Sequence, residues 1–146
     1  MTERTVFQSM PRRLLVSLGP AATVHEAACV MTKAGCGSVL VIDGASTLLG
    51  IVTERDLMTR VLAKALDPAK TPLSSVMTPH PQCIKPDTKV ADAVLIMIER
   101  GFRHLPVLGE GGHILGVFSV RDALPREIGT AVSLAEFNEQ VNDSLG

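Results

Sequence analysis

The sequence predicts an α+β fold of two β-α-β-β-α repeats packed as a pseudo-twofold pair. The first observation is a stretch that occurs twice, as GIVTERDL from Gly50 and as GVFSVRDA from Gly116. Each copy is typical of a buried strand that runs into a helix, with a hydroxyl residue at the helix start and an Asp three residues later. Two copies predict two similar halves and not a solenoid, which needs more repeats.

The second observation is that the duplication extends along much of the chain at a constant offset. Gly50 and Gly116 are 66 residues apart, and no gap is needed between Val24 and Leu57. Further pairs at this offset are Val24 with Val90, Ala27 with Ala93, Met31 with Met97, Gly35 with Gly101, Val41 with Val107, Leu49 with Leu115, Arg55 with Arg121 and Asp56 with Asp122.

Composition bounds the class of protein. The chain has 146 residues, 46% of them hydrophobic, and suits one compact domain or two small halves that share a core. A net charge of −1, from 14 basic and 15 acidic residues, provides no basic field for nucleic acid or a membrane surface. There is no Trp or Tyr to stack bases. We therefore expect neither a nucleic-acid nor a membrane partner.

Three cysteines, Cys29, Cys36 and Cys83, lack a CxxC spacing, which argues against a zinc site or a disulfide framework. Cys29 and Cys36 fall in apolar periodic stretches, so we expect both to be small buried hydrophobic residues. No apolar run resembles a signal peptide or reaches the length of a membrane span. We expect a soluble, cytoplasmic protein.

Helix-capping residues and helix-breaking residues predict where the elements of the first repeat begin and end. Thr23 and Glu26 have the capping-box spacing, and Gly35 ends the helix that they begin. Asp43 begins a hairpin turn. The predicted elements are a lead-in at 1–13, a strand at 14–18, a helix at 24–34, strands at 38–42 and 47–52, and a helix from 53 to about 66.

The second repeat shows the same order. Asp87 or Thr88 is expected to cap a helix that Gly101 closes, and a turn at 110–112 joins two strands. Pro125 lies within the last helical pattern and should shorten or bend it. We place the first repeat at 9–66, a linker at 67–73, the second repeat at 74–124 and a helical C-terminal extension at 125–146, in which Val132, Leu134, Phe137 and Val141 suit an amphipathic helix.

The doubled stretch carries the chemistry. A hydroxyl, backbone N–H groups and a carboxylate at a helix start form a polar mouth, which can hold a ribose by its hydroxyls and a phosphate by the helix end. We call residues Thr53–Asp56 the first mouth and Ser119–Asp122 the second mouth. Helix capping alone is the alternative function of these residues.

These residues resemble a known family. The β-α-β-β-α order, with the endings G-h-h-T-x-x-D and G-h-h-S-x-x-D (h, apolar), is similar to the CBS domain, and two in tandem resemble a Bateman module. The phrases VMT at Val76 and RHLPV at Arg103 also resemble that family, and the resemblance covers roughly residues 9–124. It implies two small sheets back to back and two clefts, which adenosine ligands occupy in nucleotide-binding members.

The resemblance also implies roles for individual residues. Asp56 and Asp122 would hold ribose hydroxyls, and Thr53 and Ser119 would face the sugar or phosphate. Each cleft would mix the repeats, so that Thr53 and Asp56 work with residues of the second repeat, and Ser119 and Asp122 with residues of the first. The residues expected to line the base are Thr88, Ala93, Phe102 and Arg103 from the second repeat, and Ala22, Ala27, Cys36 and Gly37 from the first.

The chain departs from the family pattern in its first repeat. Ala22 replaces the base-side hydroxyl, and Leu40 replaces the Pro of the Leu-Pro-Val phrase. We therefore expect the cleft that uses Ala22 to bind more weakly or to stay empty, and the cleft of Asp56 and Thr88 to be the better site.

Basic side chains near the mouths have two interpretations. Arg55 and Arg121 either neutralise ligand phosphates or are helix-surface charges paired with nearby acids. Arg103 and His104 either reach a phosphate or form a strand edge with a solvated Arg and a packed His.

Three classes of function are compared. The first is a sensor for AMP, ADP or ATP, with S-adenosylmethionine or a dinucleotide as alternative ligands and no cofactor required. The second is an interaction protein with vestigial clefts, which dimerises or holds an unknown protein target. An enzyme is disfavoured, because no nucleophile–base pair, metal cluster or Walker-type loop is found. Met58, Val61 and Leu62 form a predicted apolar stripe, from which we expect a homodimer.

Overall fold

A computed structural model describes residues 3–10 and 15–145 of the chain. Contacts divide the chain into two compact units. The first-repeat unit lies within Leu14–Gln82, and the second-repeat unit combines residues of Met1–Arg13 with those of Cys83–Gly146. Both units mix helices and strands, which confirms the predicted α+β class with two repeats. The predicted sequence boundaries of the repeats, linker and extension stay predictions.

The elements follow one another in a similar order in the two units. In chain order they are α1 (Val6–Ser9), β1 (Ser17–Leu18), α2 (Val24–Ala34), β2 (Ser38–Ile42), β3 (Leu48–Thr53), α3 (Glu54–Asp56), β4 (Thr78–Pro79), α4 (Val90–Arg100), β5 (His104–Leu108), β6 (Ile114–Ser119) and α5 (Pro125–Leu145). Helix α3 continues as a π-helix at Leu57–Leu62, and 3₁₀ turns lie at Leu73–Ser75, Glu110–Gly112 and Val120–Asp122.

The sheet of the first-repeat unit has the strand order β1-β2-β3-β4. Strand β1 is parallel to β2, and the other pairs are antiparallel. The carboxylate of Asp43 accepts the N–H groups of Ala45 and Thr47, each at 2.9 Å, which confirms the predicted turn. The predicted strand at 14–18 is shorter in the structure, where it covers Ser17–Leu18, and Leu14 lies outside the described residues.

Helix α2 begins and ends where the sequence predicts. The Thr23 hydroxyl accepts the Glu26 N–H at 3.2 Å, and Gly35 closes the helix in the left-handed region, at φ 67°. This conformation suits glycine, which has no Cβ to clash. One face of α2 packs into the hydrophobic core of the unit, which contains Val24, Ala27, Met31, Val39, Val41, Val52, Val61, Leu73 and Val76.

The second-repeat unit is built on the antiparallel pair β5–β6 and on helices α4 and α5. Ile84 forms a parallel bridge to Val107, and Gly101 closes α4 at φ 76°. The core of this unit takes residues from both ends of the chain, namely Val6, Ile84, Val90, Ala93, Val94, Met97, Leu105, Val107, Phe118 and Ala131.

The predicted side-chain cap of α4 is wrong. The N-cap residue is Lys89, which makes no side-chain cap bond, so neither Asp87 nor Thr88 has that role. The Val90 N–H donates instead to the main-chain carbonyl of Arg4 at 3.0 Å. A neighbouring backbone segment thus satisfies a helix-start donor that the sequence assigned to a side chain.

Residues 4–10 have a counterpart at residues 71–77, and we call both lead-in segments. At the start of α2 the Val24 N–H donates to the Thr71 carbonyl at 2.9 Å, as Val90 does to Arg4. The two segments are 67 residues apart. Each lead-in packs in the unit of the other repeat, because residues 4–10 belong to the second-repeat unit and residues 71–77 to the first-repeat unit.

Pro125 is the first residue of a helix and neither shortens nor bends one, contrary to the prediction. The chain breaks at Ala123, which is extended, and α5 begins at Pro125. Proline is favoured at the first helical position, where its missing N–H costs nothing. Helix α5 packs on α4 through a face with small Ala131, which is buried. The predicted apolar residues remain substantially exposed, namely Val132, Leu134, Phe137 and Val141.

Two further burial predictions are wrong. Cys29 is exposed and Cys36 is only half-buried, because the buried face of α2 passes through Ala27 and Met31 and leaves Cys29 on the opposite side. Val61 is 2% exposed and belongs to the core, so it does not share a surface stripe with Met58 and Leu62 (59% and 72% exposed). The stripe prediction assumed α-helical spacing, whereas Leu57–Leu62 is a wider π-helix.

Candidate functional site

The first mouth is a reciprocal capping box at the junction of β3 and α3. The main-chain N–H of Thr53 donates to Oδ2 of Asp56 at 2.9 Å, and the Asp56 N–H donates to the Thr53 hydroxyl at 3.3 Å. The hydroxyl also lies 3.2 Å from Oδ2. Oδ1 of Asp56 is 3.5 Å from Nε of Arg60, an ion pair too long for a strong hydrogen bond. Oδ1 therefore retains acceptor capacity.

The second mouth repeats the box with a shorter helical turn. The Ser119 N–H donates to Oδ2 of Asp122 at 3.0 Å, and the Ser119 hydroxyl accepts the Arg121 N–H at 3.4 Å. A 3₁₀ turn at Val120–Asp122 follows, in place of the longer helix of the first repeat. Helix capping is thus a function of both mouths, and it uses one oxygen of each carboxylate.

At each mouth one helix-start N–H group is bonded to a neighbouring loop. At the first mouth the Glu54 N–H donates to the carbonyl of Gly37 at 3.0 Å. At the second mouth the Val120 N–H donates to the carbonyl of Arg103 at 3.2 Å. These donors and those of the capping boxes are already used, so fewer N–H groups are available at each helix start, and the contact with a phosphate stays a prediction.

The same two bonds place each predicted base-side loop against the mouth of its own repeat, whereas the resemblance assigned Arg103 to the cleft of Thr53 and Asp56. Arg103, with Phe102 and His104, therefore lies beside Ser119–Asp122, and His104 pairs with Ser119 across β5 and β6. At the first mouth the equivalent loop holds Cys36 and Gly37. Phe102, Arg103 and Arg121 are exposed beside the second mouth, while Arg55 and Arg60 are the arginines of the first.

Ala22 and Thr88 lie at equivalent points, each bonded to a lead-in segment. The Ala22 carbonyl accepts the Leu73 N–H at 2.8 Å, and the Thr88 carbonyl accepts the Val6 N–H at 2.7 Å. Both residues are half-buried. The predicted pairing of the first mouth with Thr88, and of the second with Ala22, stays a prediction from the resemblance.

Ala27 and Ala93 are fully buried in the hydrophobic cores of their units. Their methyl groups offer no hydrogen bond, so they would at most form the floor of a pocket. The proposed contact of either residue with a base stays a prediction.

Sequence reasoning missed Arg60, which fastens the first mouth. Its Nη1 donates to the carbonyls of Val76 and Met77, at 3.0 and 3.1 Å, and its Nε faces Asp56. Arg60 thus ties the mouth to the lead-in segment 71–77. The repeat itself held a signal, because Arg126 stands 66 residues later.

Sequence reasoning also missed the pair of Arg4 and Glu127, which lies beside the second mouth. The guanidinium of Arg4 bonds the carboxylate of Glu127 at 2.7 and 3.1 Å. Hydrogen bonding to Arg4 lowers the pKa of Glu127 below its ordinary value of 4.5, and the same bond raises the pKa of Arg4. The signal in the sequence was Glu127 at the third position of a helix that Pro125 begins.

The geometry offers no metal centre within residues 3–10 and 15–145, where no three His, Cys, Asp or Glu side chains gather. Helices of the same residues are too short or too polar to cross a bilayer. The arrangement that the structure provides is a pair of carboxylate-and-hydroxyl mouths flanked by arginines, groups that can accept from a diol and pair with a phosphate.

The family comparison matches the CBS domain twice, at residues 8–63 and 73–127. These ranges cover most of the chain and contain both mouths. The chain belongs to the CBS-domain family. The prediction of a tandem CBS protein is thereby confirmed.

Curated relatives of this CBS-domain chain include larger proteins. It is 33% identical over 144 residues to the meiotically up-regulated gene 70 protein of Schizosaccharomyces pombe, covering 88% of the chain but 20% of the relative. An uncharacterized 17.7 kDa protein of Acidianus ambivalens is 38% identical over 103 residues, covering 70% of the chain and 61% of the relative. The chain thus spans less than two thirds of the length of either protein.

Solved structures of CBS-domain proteins share the fold. One from Burkholderia ambifaria has 30% identity and a TM-score of 0.73, with 80% of this chain and 86% of that chain covered. A CBS domain protein of Pyrobaculum aerophilum, complexed with AMP, has 26% identity and a TM-score of 0.78, with 90% and 100% covered. The similarity therefore extends to a protein whose structure holds a nucleotide.

Proposed function

We propose that this CBS-domain chain is a regulatory module that binds an adenine nucleotide, AMP, ADP or ATP, and changes its interactions in response. The similar CBS protein of Pyrobaculum aerophilum was solved with AMP, as was CBSX2, which has 26% identity and a TM-score of 0.65. The supporting observation in this chain is the first mouth. There Oδ2 of Asp56 serves the cap, while Oδ1 has only a 3.5 Å ion pair and can accept from a ribose diol.

A thermal-shift screen tests this proposal. A ligand that binds only the folded state raises the free energy of unfolding by mass action, by about 2.7 kcal/mol at a ligand concentration one hundred times Kd. The melting temperature rises with it. We expect AMP, ADP or ATP to raise it, and guanine nucleotides at the same concentrations to have a smaller effect. S-adenosylmethionine and NAD should be included as the alternative ligands.

A flat response to all adenosyl compounds would favour the second class of function, an interaction protein with vestigial clefts. An assay of phosphate release measures nucleotide turnover. Turnover would contradict the proposal that the module binds nucleotide without catalysing a reaction.

We also propose that the chain forms a homodimer through the exposed apolar side chains of the π-helix. Met58 and Leu62 are 59% and 72% exposed and lie one turn apart, and Leu66, which lies beyond the end of this helix, is 42% exposed. Large exposed apolar side chains grouped on one helix are a common mark of an association surface, and a twofold pair is the commonest closed assembly.

Light scattering coupled to size exclusion measures the assembly. We expect about twice the chain mass of 15.5 kDa at micromolar concentration. Met58→Glu with Leu62→Glu should split the dimer, whereas Phe137→Glu, at an equally exposed position on α5, is the matched control. A double variant that stays dimeric and folded would place the interface elsewhere.

A further inference from the structure

Arg4 joins three parts of the second-repeat unit. Its Nε and Nη2 contact the two carboxylate oxygens of Glu127, at 3.1 and 2.7 Å. Nη2 also donates to the main-chain carbonyl of Asp122 at 3.1 Å. The carbonyl of Arg4 accepts the Val90 N–H at the start of α4. One residue of a lead-in segment is therefore bonded to the second mouth, to α5 and to α4.

Glu127 extends this connection to the break that follows the mouth. Its side chain is buried, and Oε1 accepts the main-chain N–H of Leu124 at 2.8 Å. Ala123 and Leu124 join the second mouth to Pro125, where α5 begins. The main chain on the C-terminal side of Asp122 is thus held by the same carboxylate that Arg4 binds.

We propose that Arg4 is a positioning residue of the second mouth. By holding the Asp122 carbonyl and, through Glu127, the Leu124 N–H, it keeps the Asp122 carboxylate in the orientation that accepts the Ser119 N–H and that a ribose diol needs. This assignment rests on the proposed nucleotide function of that mouth.

Amide hydrogen exchange tests the positioning role without any nucleotide. In Arg4→Gln we expect the Ser119 and Leu124 amides to exchange at least tenfold faster. The internal references are the Thr53 amide of the first mouth and the Ile84 and Leu108 amides, which bond across the second-repeat strands. These should change less than threefold. Equal acceleration at all five amides would show a merely structural role and overturn the proposal, as would unchanged exchange at Ser119.

Arg4→Lys separates the two roles further. A lysine ammonium is a single point charge and cannot span both Glu127 oxygens and the Asp122 carbonyl as the guanidinium fork does. We expect Arg4→Lys to recover most of the melting temperature lost in Arg4→Gln, while Ser119 exchange stays fast. Recovery of slow Ser119 exchange together with the melting temperature would assign Arg4 to stability alone.

Binding is then measured by calorimetric titration with AMP in an Asp56→Ala background, which isolates the second mouth. Adding Arg4→Gln should weaken AMP binding at least fivefold, whereas adding Arg60→Gln, the arginine of the first mouth, should not. Equal affinities would overturn the positioning role and leave the proposed function intact. If AMP does not bind the Asp56→Ala protein, whether or not it binds the wild type, the proposed function of the second mouth fails, and the exchange result alone decides whether Arg4 fixes the geometry of that mouth.

Discussion

The two mouths have the same capping box but are fastened in opposite directions. At the first mouth the arginine stands on the helix, and Arg60 reaches the lead-in carbonyls of Val76 and Met77. At the second mouth the arginine stands on the lead-in, and Arg4 reaches the mouth and α5. The duplicated fold thus keeps a cationic tie between lead-in and mouth, although different residues of the repeat provide it. The comparison teaches that equivalent sites in a duplicated protein need not depend on equivalent residues.

The largest expected difference between the mouths is in nucleotide binding. Asp56→Ala should weaken adenine-nucleotide binding by about 1.5–3 kcal/mol, the usual size for a charge-assisted hydrogen bond left unmade. Asp122→Ala should have a smaller effect, because the sequence prediction ranks the cleft with Ala22 as the weaker site. Calorimetric titration of both variants measures this. Two identical, independent sites would contradict the ranking.

A second comparison concerns the glycines that face the lead-in methionines. A Cβ added at Gly50 would lie 2.6 Å from Sδ of Met77 and 2.7 Å from the main-chain carbonyl of Thr78. Because the carbonyl cannot move aside, Gly50→Ala should cost about 1–3 kcal/mol, as overpacking does. Urea unfolding measures the loss. Gly44→Ala is the matched control, since nothing lies within 4 Å of the added atom.

At Gly116 the added Cβ would meet only the mobile end of Met10, at 2.7 Å, although a φ of 151° adds strain for any other residue. Met10→Ala should therefore recover part of the stability lost in Gly116→Ala. Met77→Ala should recover little of the loss in Gly50→Ala, and full recovery there would show that the Thr78 carbonyl yields.

The third prediction concerns the pH dependence of the stability that the Arg4–Glu127 pair provides beside the second mouth. Hydrogen bonding to Arg4 lowers the pKa of Glu127 below 4.5, so the folded state favours the carboxylate. The stability that this provides is complete above about pH 4.5 and is lost as pH falls through the lower folded pKa. Glu127→Gln should reduce stability at pH 7 by on the order of 1 kcal/mol and flatten its decline below about pH 4.5. Parallel pH profiles of the two proteins would contradict the linkage.

The smallest expected effect on stability concerns the turn that follows the π-helix Leu57–Leu62. Helices α2 and α4 end in glycine, whereas Ala65 adopts φ 54° after the π-helix. Ala65→Gly should remove this strain and stabilise the protein by about 0.5–1 kcal/mol. Ala63→Gly, at an exposed helical position with φ −66°, should instead destabilise it by about the same amount. Thermal unfolding of the pair measures both signs.

Much of the fold could be predicted because its signals are local. The Thr23 cap, the glycines that end α2 and α4 and the turn at Asp43 act within a few residues, and the two glycines recur at the repeat offset. Pro125 was misplaced because a helical pattern does not reveal where one helix ends and the next begins. The N-cap of α4 failed for a different reason, since its acceptor lies on Arg4 and belongs to a distant segment.

The candidate site was predictable in its chemistry but not in its surroundings. The pairs Thr53–Asp56 and Ser119–Asp122 form the capping boxes that their spacing indicates. Spacing could not reveal that the Glu54 and Val120 N–H groups are already used, because their acceptors, Gly37 and Arg103, lie in the loops before β2 and β5. Nor could it reveal Glu127 as the partner of Arg4, since 123 residues separate them.

The exchange of lead-in segments has a consequence for biosynthesis. Once residue 82 has left the ribosome, the first-repeat unit possesses all of its segments and can fold. Residues 4–10 cannot make their contact with Glu127 until that residue has been synthesised. The contact closes a chain loop that includes the whole sequence of the first-repeat unit, at an entropic cost that grows slowly with loop length. A fragment of residues 83–145 would lack part of its own core, Val6 included, and should fold only when a peptide carrying residues 4–10 is supplied in trans.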